Sequence, residues 1–470
     1  MAAIHDLSAT EMSAAYARGE LSPVEVTLAA LARIDAWEPA INAMYLVHAD
    51  RAIDAAHGSE TRWRSGAPLS PLDGVPITIK ENITTAGDPA PIGTRANANL
   101  VAATADAPPA ARVRAAGCIL LGKTTMPDYG MLSSGLSSLH GITRNPWRLD
   151  RNPSGSSSGA AAAAVAGYGP LHLGTDIGGS VRLPATHCGL FSLKPTLGRV
   201  PIYPPYIGRA VGPITRTVAD SAAVMNVLIG PDARDYMSIA AQTTDYLDAV
   251  TGDHSPWLKG LRIGYLADAK LGTPLQSDVH AAAAAAARAL EQAGATVEEI
   301  PPFMTAAMLD GVCRFFEARS FNDVMALSEE RQQAILPFIL EWCTHRAQHF
   351  SGRDVMGALN ELFALREATV RATTAYDFVL SPTSPITAFE ASFAAPGNDP
   401  HDALPHIAYT LPYNMSEQPA ASVPWTTSAD QLPIGIQIAG RRFDDLGVMR
   451  LAQVLEQLRP PLPGWPELQT

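Results

Sequence analysis

Residues 109–121 read Pro109-Ala110-Ala111-Arg112-Val113-Arg114-Ala115-Ala116-Gly117-Cys118-Ile119-Leu120-Leu121. The first eight suit a helix, Gly117 is the residue type that closes one, and the four apolar residues after it are of strand type. Helix, glycine and short buried strand in succession are the grammar of an α/β fold with a largely parallel sheet. The same unit recurs further on, with a strand over 260–266, an alanine-rich helix over 277–293 ended by Gly294, and a strand over 296–300. The seven alanines at 281–287 are low-complexity only on the surface, because alanine is the best helix former and allows close packing.

Working outward, the first 36 residues predict helices. Ser8 with Glu11 and Ser22-Pro23-Val24-Glu25 carry the capping-box pattern, the second with proline where no N–H is needed. Leu72-Asp73-Gly74-Val75-Pro76-Ile77-Thr78-Ile79-Lys80 reads as a turn into a short buried strand that ends on a lysine. Residues 305–372 are helical in pattern, and 378–381 and 432–438 read as strands returning to the core. With no Pro/Ser-rich linker and no repeat period, the 470 residues are expected to form one large domain.

Composition narrows the function classes. At 47% hydrophobic, with 36 glycines and 38 prolines, the chain is neither disordered, nor collagenous, nor a disulfide-stapled miniprotein. Lys plus Arg number 34 against 46 Asp plus Glu, a formal charge of −12, which argues against nucleic acid or an anionic membrane as partner. The four cysteines, Cys118, Cys188, Cys313 and Cys343, form no CxxC pair and point to a reducing compartment. Residues 1–20 lack the basic and apolar regions of a secretory signal, and the longest apolar stretch, 159–171, is too short to span a bilayer. A cytoplasmic location is expected.

The chemistry lies in 152–195. Asn152-Pro153-Ser154-Gly155-Ser156-Ser157-Ser158-Gly159 precedes five alanines, and Gly174-Thr175-Asp176-Ile177-Gly178-Gly179-Ser180-Val181-Arg182 follows. Small residues and hydroxyls at this density let backbone approach a ligand and leave N–H groups free to face an anion. Ile177-Gly178-Gly179-Ser180 is what an acyl-transfer site needs, a serine behind consecutive N–H groups that converge on a developing oxyanion. No histidine stands near it in sequence. Lys80, at the end of an apolar strand, is the candidate base. To act near pH 7 its pKa must fall from about 10.4 by roughly 3, about 4 kcal/mol, which burial and hydroxyl partners can supply.

These segments, with Lys80-Glu81-Asn82 upstream, resemble the amidase signature family of Ser–Ser–Lys amidohydrolases. Thr143-Arg144-Asn145-Pro146-Trp147, Leu193-Lys194-Pro195-Thr196, Gly212-Pro213-Ile214-Thr215-Arg216, Pro419-Ala420-Ala421-Ser422-Val423-Pro424 and Leu432-Pro433-Ile434-Gly435-Ile436-Gln437 extend the likeness over nearly the whole chain. The resemblance implies a single α/β domain with a mixed twisted sheet of roughly eleven strands surrounded by helices. Its parts would be N-terminal helices at 1–60, a signature core at 70–220, a variable helical insert at about 300–372 and a return to the sheet at 373–470. It implies Ser180 as nucleophile, Ser156 as a bridging serine with a cis peptide, and Lys80 as base. The N–H groups of Ile177, Gly178, Gly179 and Ser180 would form the oxyanion hole, Gly130 and Met131 would line the acyl pocket, and Asp176 with Arg182 would support the loop as a structural ion pair. No metal or organic cofactor is implied. The expected partner is a small or aryl carboxamide. A carbamate, cleaved as by a urethanase, and glutamine, hydrolysed within a tRNA-dependent transamidation complex of which the chain would be one subunit, are the alternatives. A homodimer is compatible with this reading. The sequence departs from the family pattern at Ser154, Ser158, Ala160, Glu81 and Glu417, none of them a reacting group.

Three competing readings are set against this. Gly155-Ser156-Ser157-Ser158-Gly159 also matches the G-x-S-x-G elbow of α/β-hydrolases, but the polar residues 148–153 before it do not form the buried strand that motif requires. His345 and His349 at i, i+4 would place two metal ligands on one helix face, with no third ligand nearby, so a solvated face is expected. Cys188 follows the active segment but lacks a basic partner and reads as a small core residue.

Overall fold

A computed structural model describes residues 3–468. Both predicted capping boxes form, Ser8 opening the helix Ala9–Arg18 and Ser22 opening Pro23–Ile41, each with side chain and backbone bonded reciprocally. Helix Pro108–Ala115 stops before Gly117, whose φ of +84° takes the chain straight into the next strand. A Cβ there would lie 2.4 Å from Asp73 Oδ1, so the turn needs glycine for space as well as for conformation.

The strands are β1 Met44–Val47, β2 Pro76–Lys80, β3 Ile119–Thr124, β4 Leu136–Ser137, β5 Gly141–Ile142, β6 Leu171–Asp176, β7 Phe191–Lys194, β8 Ala210–Thr215, β9 Arg262–Tyr265, β10 Thr296–Glu299, β11 Phe378–Pro382, β12 Ala420–Thr427 and β13 Pro433–Gly440. β4 and β5 form a small hairpin, and the other eleven make one sheet in the order β1-β3-β2-β6-β8-β7-β12-β13-β11-β9-β10. The expected eleven strands are thus present in a single α/β domain flanked by helices. The largely parallel sheet suggested by the helix–glycine–strand units is corrected. β2 runs parallel to β3 and β6, and β9 to β10 and β11, but the six remaining neighbour pairs are antiparallel. Parallel pairs arise where a helix carries the chain back across the sheet. The antiparallel block β6–β8–β7–β12–β13 joins segments hundreds of residues apart, which local periodicity cannot register.

Two regions position the site. Helix Ser158–Ala166 is buried on every side, with Ala162, Ala163 and Ala166 in one core cluster beside Trp37 and Leu121, and Ala160, Ala161 and Ala164 in another beside Val181, Cys188 and Ile214. Its alanines let it sit close on both neighbours, as expected of a helix that is apolar all round. The stretch 305–372 is not one continuous helical run. It breaks into Ala306–Met325, Glu329–Gln333, Pro337–Thr344, a short 3₁₀ turn and Gly352–Thr373, the breaks falling where Ser328, Pro337 and Ser351 restart the backbone. These helices share one apolar cluster with Met131, Leu183 and Ile407.

Candidate active site

β2 and β6 run parallel, so both chains leave the sheet at the same edge. Lys80 is the last residue of β2, and the turn 177–181 follows β6 directly, which brings together residues a hundred positions apart. Ser156 arrives from a third direction, in the loop ahead of the alanine-rich helix Ser158–Ala166, and the peptide bond Gly155–Ser156 is cis.

Lys80 is fully buried and its Nζ donates to three hydroxyls, Ser156 Oγ at 2.9 Å, Thr175 Oγ1 at 3.0 Å and Ser157 Oγ at 3.1 Å. Asn82 Nδ2 donates to the same Thr175 oxygen at 3.1 Å. Burial is the largest influence on the amine and pulls its pKa from 10.5 down to about 7. The Asp176 carboxylate opposes this and the Arg209 guanidinium adds to it. A lysine at this position is therefore poised to take up and release a proton near neutrality.

Ser180 is 8% exposed and lines a small cavity. Its carbonyl accepts from the Ser157 N–H at 3.2 Å, tying the two serine segments through backbone. Among the described residues no hydrogen bond joins Ser180 Oγ to Ser156, and the tie between the two segments at Ser180 is the backbone one. Asp176 folds the turn. Its Oδ1 accepts from Gly179 N–H at 2.8 Å and its Oδ2 from Val181 N–H at 3.1 Å. Of the four N–H groups expected to face an oxyanion, Gly179's is thus committed to Asp176. Among the described residues no acceptor meets those of Ile177, Gly178 and Ser180. Gly179 itself has φ +127°, and a Cβ there would strike Thr410 Oγ1 at 2.5 Å.

Asp176 and Arg182 form a fully buried bidentate pair, Nε–Oδ2 3.0 Å and Nη2–Oδ1 2.9 Å. The remaining guanidinium hydrogens reach Thr410 O, Gln437 Oε1 and Asn414 Oδ1, and Asn414 Nδ2 returns a bond to Asp176 at 2.8 Å. Burial works against the charge on Asp176, but Arg182 and Asn414 outweigh it and hold the carboxyl well below the usual carboxylate range. A carboxylate held this firmly is a brace for the turn.

The cavity is narrow, with about 30 Å³ of free space. Gly130 and Met131 line it together with Ile177, Gly178, Phe316, Arg319, Trp342 and Ile407. Sequence reading missed the partners of Lys80 at Ser157 and Thr175, although both stand inside the quoted motifs. It also missed Thr410, Asn414 and the wall residues Phe316, Arg319 and Trp342. Phe316, Arg319 and Trp342 stand in the stretch expected to be a variable helical insert, and nothing in the sequence singled out Thr410 or Asn414.

The departures from the family pattern have local explanations. Ser154 and Glu417, where glycine is usual, both sit in left-handed backbone, at φ +64° and +65°. Ser154 N–H is held by Asn152 Oδ1 at 2.9 Å, and the Glu417 carboxylate is clamped between Arg366 and Arg442 at 2.6 and 2.7 Å. Glu81 is buried, accepting from Gly93 N–H at 2.9 Å and pairing with His140 at 2.9 Å. The competing readings fare poorly. The chain before Ser156 is irregular, with no strand leading into it. The helix carrying His345 ends at Thr344, so His345 and His349 share no helix face, and the His345 ring stacks instead on His401 at 4.5 Å. All four cysteines are free thiols, and burial raises the Cys188 pKa far above the usual thiol range.

Comparison with known proteins shows the family and the fold. The family model described as amidase matches residues 25–449. The chain is 36% identical to an acylamidase of Rhodococcus erythropolis, covering 97% of this chain and 96% of that one. It is also 36% identical to a glutamyl-tRNA(Gln) amidotransferase subunit of Chloroflexus aggregans, covering 97% of each. The crystal structure of a bacterial aryl acylamidase superposes with a TM-score of 0.88 at 29% identity, over 97% of this chain and 96% of that one. No helix among the described residues is long and apolar enough to cross a membrane.

Proposed function

The chain belongs to the amidase family of hydrolases that act on carbon–nitrogen bonds other than peptide bonds, and on that premise we propose that it cleaves small acyl anilides through an acyl-enzyme on Ser180. Ser180 Oγ attacks the amide carbonyl while its proton passes to Ser156 and from Ser156 to Lys80. The N–H groups of Ile177, Gly178 and Ser180 receive the developing oxyanion, with Gly179 and Asp176 holding the turn in shape. Lys80, now charged, returns the proton through Ser156 to the amine nitrogen as the C–N bond breaks, so the leaving group departs as a neutral amine. Water then attacks the acyl-enzyme by the same relay run again, releasing the carboxylic acid and restoring Ser180.

The observation that carries this reading is the amine of Lys80, buried, close to neutral and bonded to Ser156 at 2.9 Å beside a cavity that Ser180 lines. The apolar wall of Met131, Phe316, Trp342, Leu404 and Ile407 favours a short or flat apolar acyl group, in keeping with the acylamidase relatives. Carbamates, or glutamine as the amidotransferase relative would suggest, use the same acyl-enzyme chemistry. The test is release of aniline from an N-acyl anilide and an N-aryl carbamate, and of ammonia from glutamine, by the purified chain, with Ser180→Ala as blank. Aniline release from the anilide, falling at least about 10³-fold in the variant, is expected. Release from the carbamate or glutamine alone would replace the substrate assignment, and release that survives in Ser180→Ala would remove the nucleophile.

A further inference from the structure

Helix Ala306–Met325 presents two adjacent polar residues, Arg319 and Ser320, to the cavity that Ser180 lines. Ser320 is 1% exposed, and its Oγ has no hydrogen-bond partner among the described residues. Arg319 is partly exposed and makes only a long ion pair with Asp323 Oδ2 at 4.0 Å, and its buried Nε has no hydrogen-bond acceptor among the described residues. Unmade bonds at buried donors are costly, and two on one turn facing one cavity mark a place where a ligand supplies the acceptors.

The charge distribution has the same sense. Arg319 stacks on the Tyr206 ring at 4.8 Å, and Arg209 stands over the same ring at 5.9 Å. The pairing of Asp176 with Ala210 across β6 and β8 places Arg209 beside the turn that carries Ser180. Arg209 reaches only the Pro204 carbonyl and has no carboxylate partner within salt-bridge reach among the described residues, and repulsion from Arg319 adds to burial in lowering its pKa to about 10. In a chain of net charge −12, two guanidinium groups crowded on one ring, one of them lining the cavity, form a local reversal of sign. An apolar pocket alone would not need it.

Resting on the acyl-enzyme reading above, we propose that Arg319 and Ser320, assisted by Arg209, bind a carboxylate at the far end of the substrate's acyl group, so that preferred substrates are half-amides of dicarboxylic acids. Arg319 offers a planar pair of donors that matches a carboxylate, and Ser320 Oγ adds a third.

Glutaranilic acid and its neutral counterpart glutaranilamide separate this from general amidase activity. Binding is measured by calorimetry to the Ser180→Ala protein, which does not depend on turnover, and hydrolysis of acetanilide and of both probes by the unmodified protein is measured in parallel. The acid is expected to bind at least about tenfold more tightly than the amide at low salt. That preference should shrink as salt rises, vanish with Arg319→Gln and partly survive with Arg319→Lys, while thermal melting checks that each variant is folded. Equal binding of the two probes, binding of neither, or a preference unchanged by Arg319→Gln overturns the proposal. Turnover of acetanilide without any preference removes the carboxylate subsite and keeps the amidase reading. Preferential binding of the acid without turnover of any anilide keeps the subsite and removes that reading.

Discussion

Replacing Thr175 by valine removes one of the three bonds around Lys80, together with the Asn82 bond to the same oxygen, while keeping the β-branched shape that β6 packs. As an ammonium, Lys80 has three N–H bonds and uses all three hydroxyls, Thr175 Oγ1 among them at 3.0 Å. As a neutral amine it has two N–H bonds and accepts through its lone pair, so it loses little when one acceptor goes. The substitution therefore penalises the charged form. A hydrogen bond to a charged donor is worth about 1.5–3 kcal/mol, and 1.36 kcal/mol corresponds to one pH unit, so the pKa should fall by about one to two. The valine methyl adds desolvation in the same direction. The active form of the base is neutral, so kcat/KM should rise with pH through a midpoint near the Lys80 value of about 7 and then level off. In Thr175→Val that limb should move to about pH 5–6. The assay is aniline release under kcat/KM conditions across this range for both proteins. A limb that stays in place or moves to higher pH would show that Lys80 is not the titrating base.

Four further outcomes follow from the same structure. Lys80, Lys123 and Lys194 are all buried with pKa values pulled from 10.5 to about 7, so above that pH only the unfolded chain holds these protons. Stability should climb between about pH 7 and 8, before the thiols of the unfolded chain ionise, and a flat or falling melting temperature there would contradict neutral lysines. Trp342→Leu opens the wall of a cavity of only about 30 Å³, and should raise kcat/KM for bulky acyl anilides relative to acetanilide while lowering stability by about 2–4 kcal/mol. An unchanged acyl preference would place the acyl group elsewhere. Ser154→Gly removes a side chain from left-handed backbone and should leave stability equal or raised by up to about 1 kcal/mol, a loss above that showing the serine hydroxyl to matter more than its φ. Arg182→Met leaves the Asp176 charge buried alone and should cost about 3–5 kcal/mol, seen in the denaturation midpoint, with activity lost alongside the fold.

Local chemistry in the chain already determined a good deal. The capping boxes at Ser8 and Ser22, the glycine stop at Gly117, the alanine helix at 277–292 and the strand ending on Lys80 are all written in neighbouring residues, because caps, propensities and closing turns act over a few positions. The serine-rich segments announced themselves for a similar reason, since only small residues tolerate backbone packed so closely. What spans the molecule was not written there. The antiparallel centre of the sheet, the breaks in 305–372, the capture of the Gly179 N–H by Asp176 and the joining of Thr410, Asn414 and Gln437 to Arg182 depend on which surfaces meet once burial is maximised. The pKa of Lys80 belongs to the same class. A lysine at a strand end is ordinary in sequence, and only the tertiary structure, by removing water and leaving three hydroxyls in its place, makes its amine a base near neutral pH.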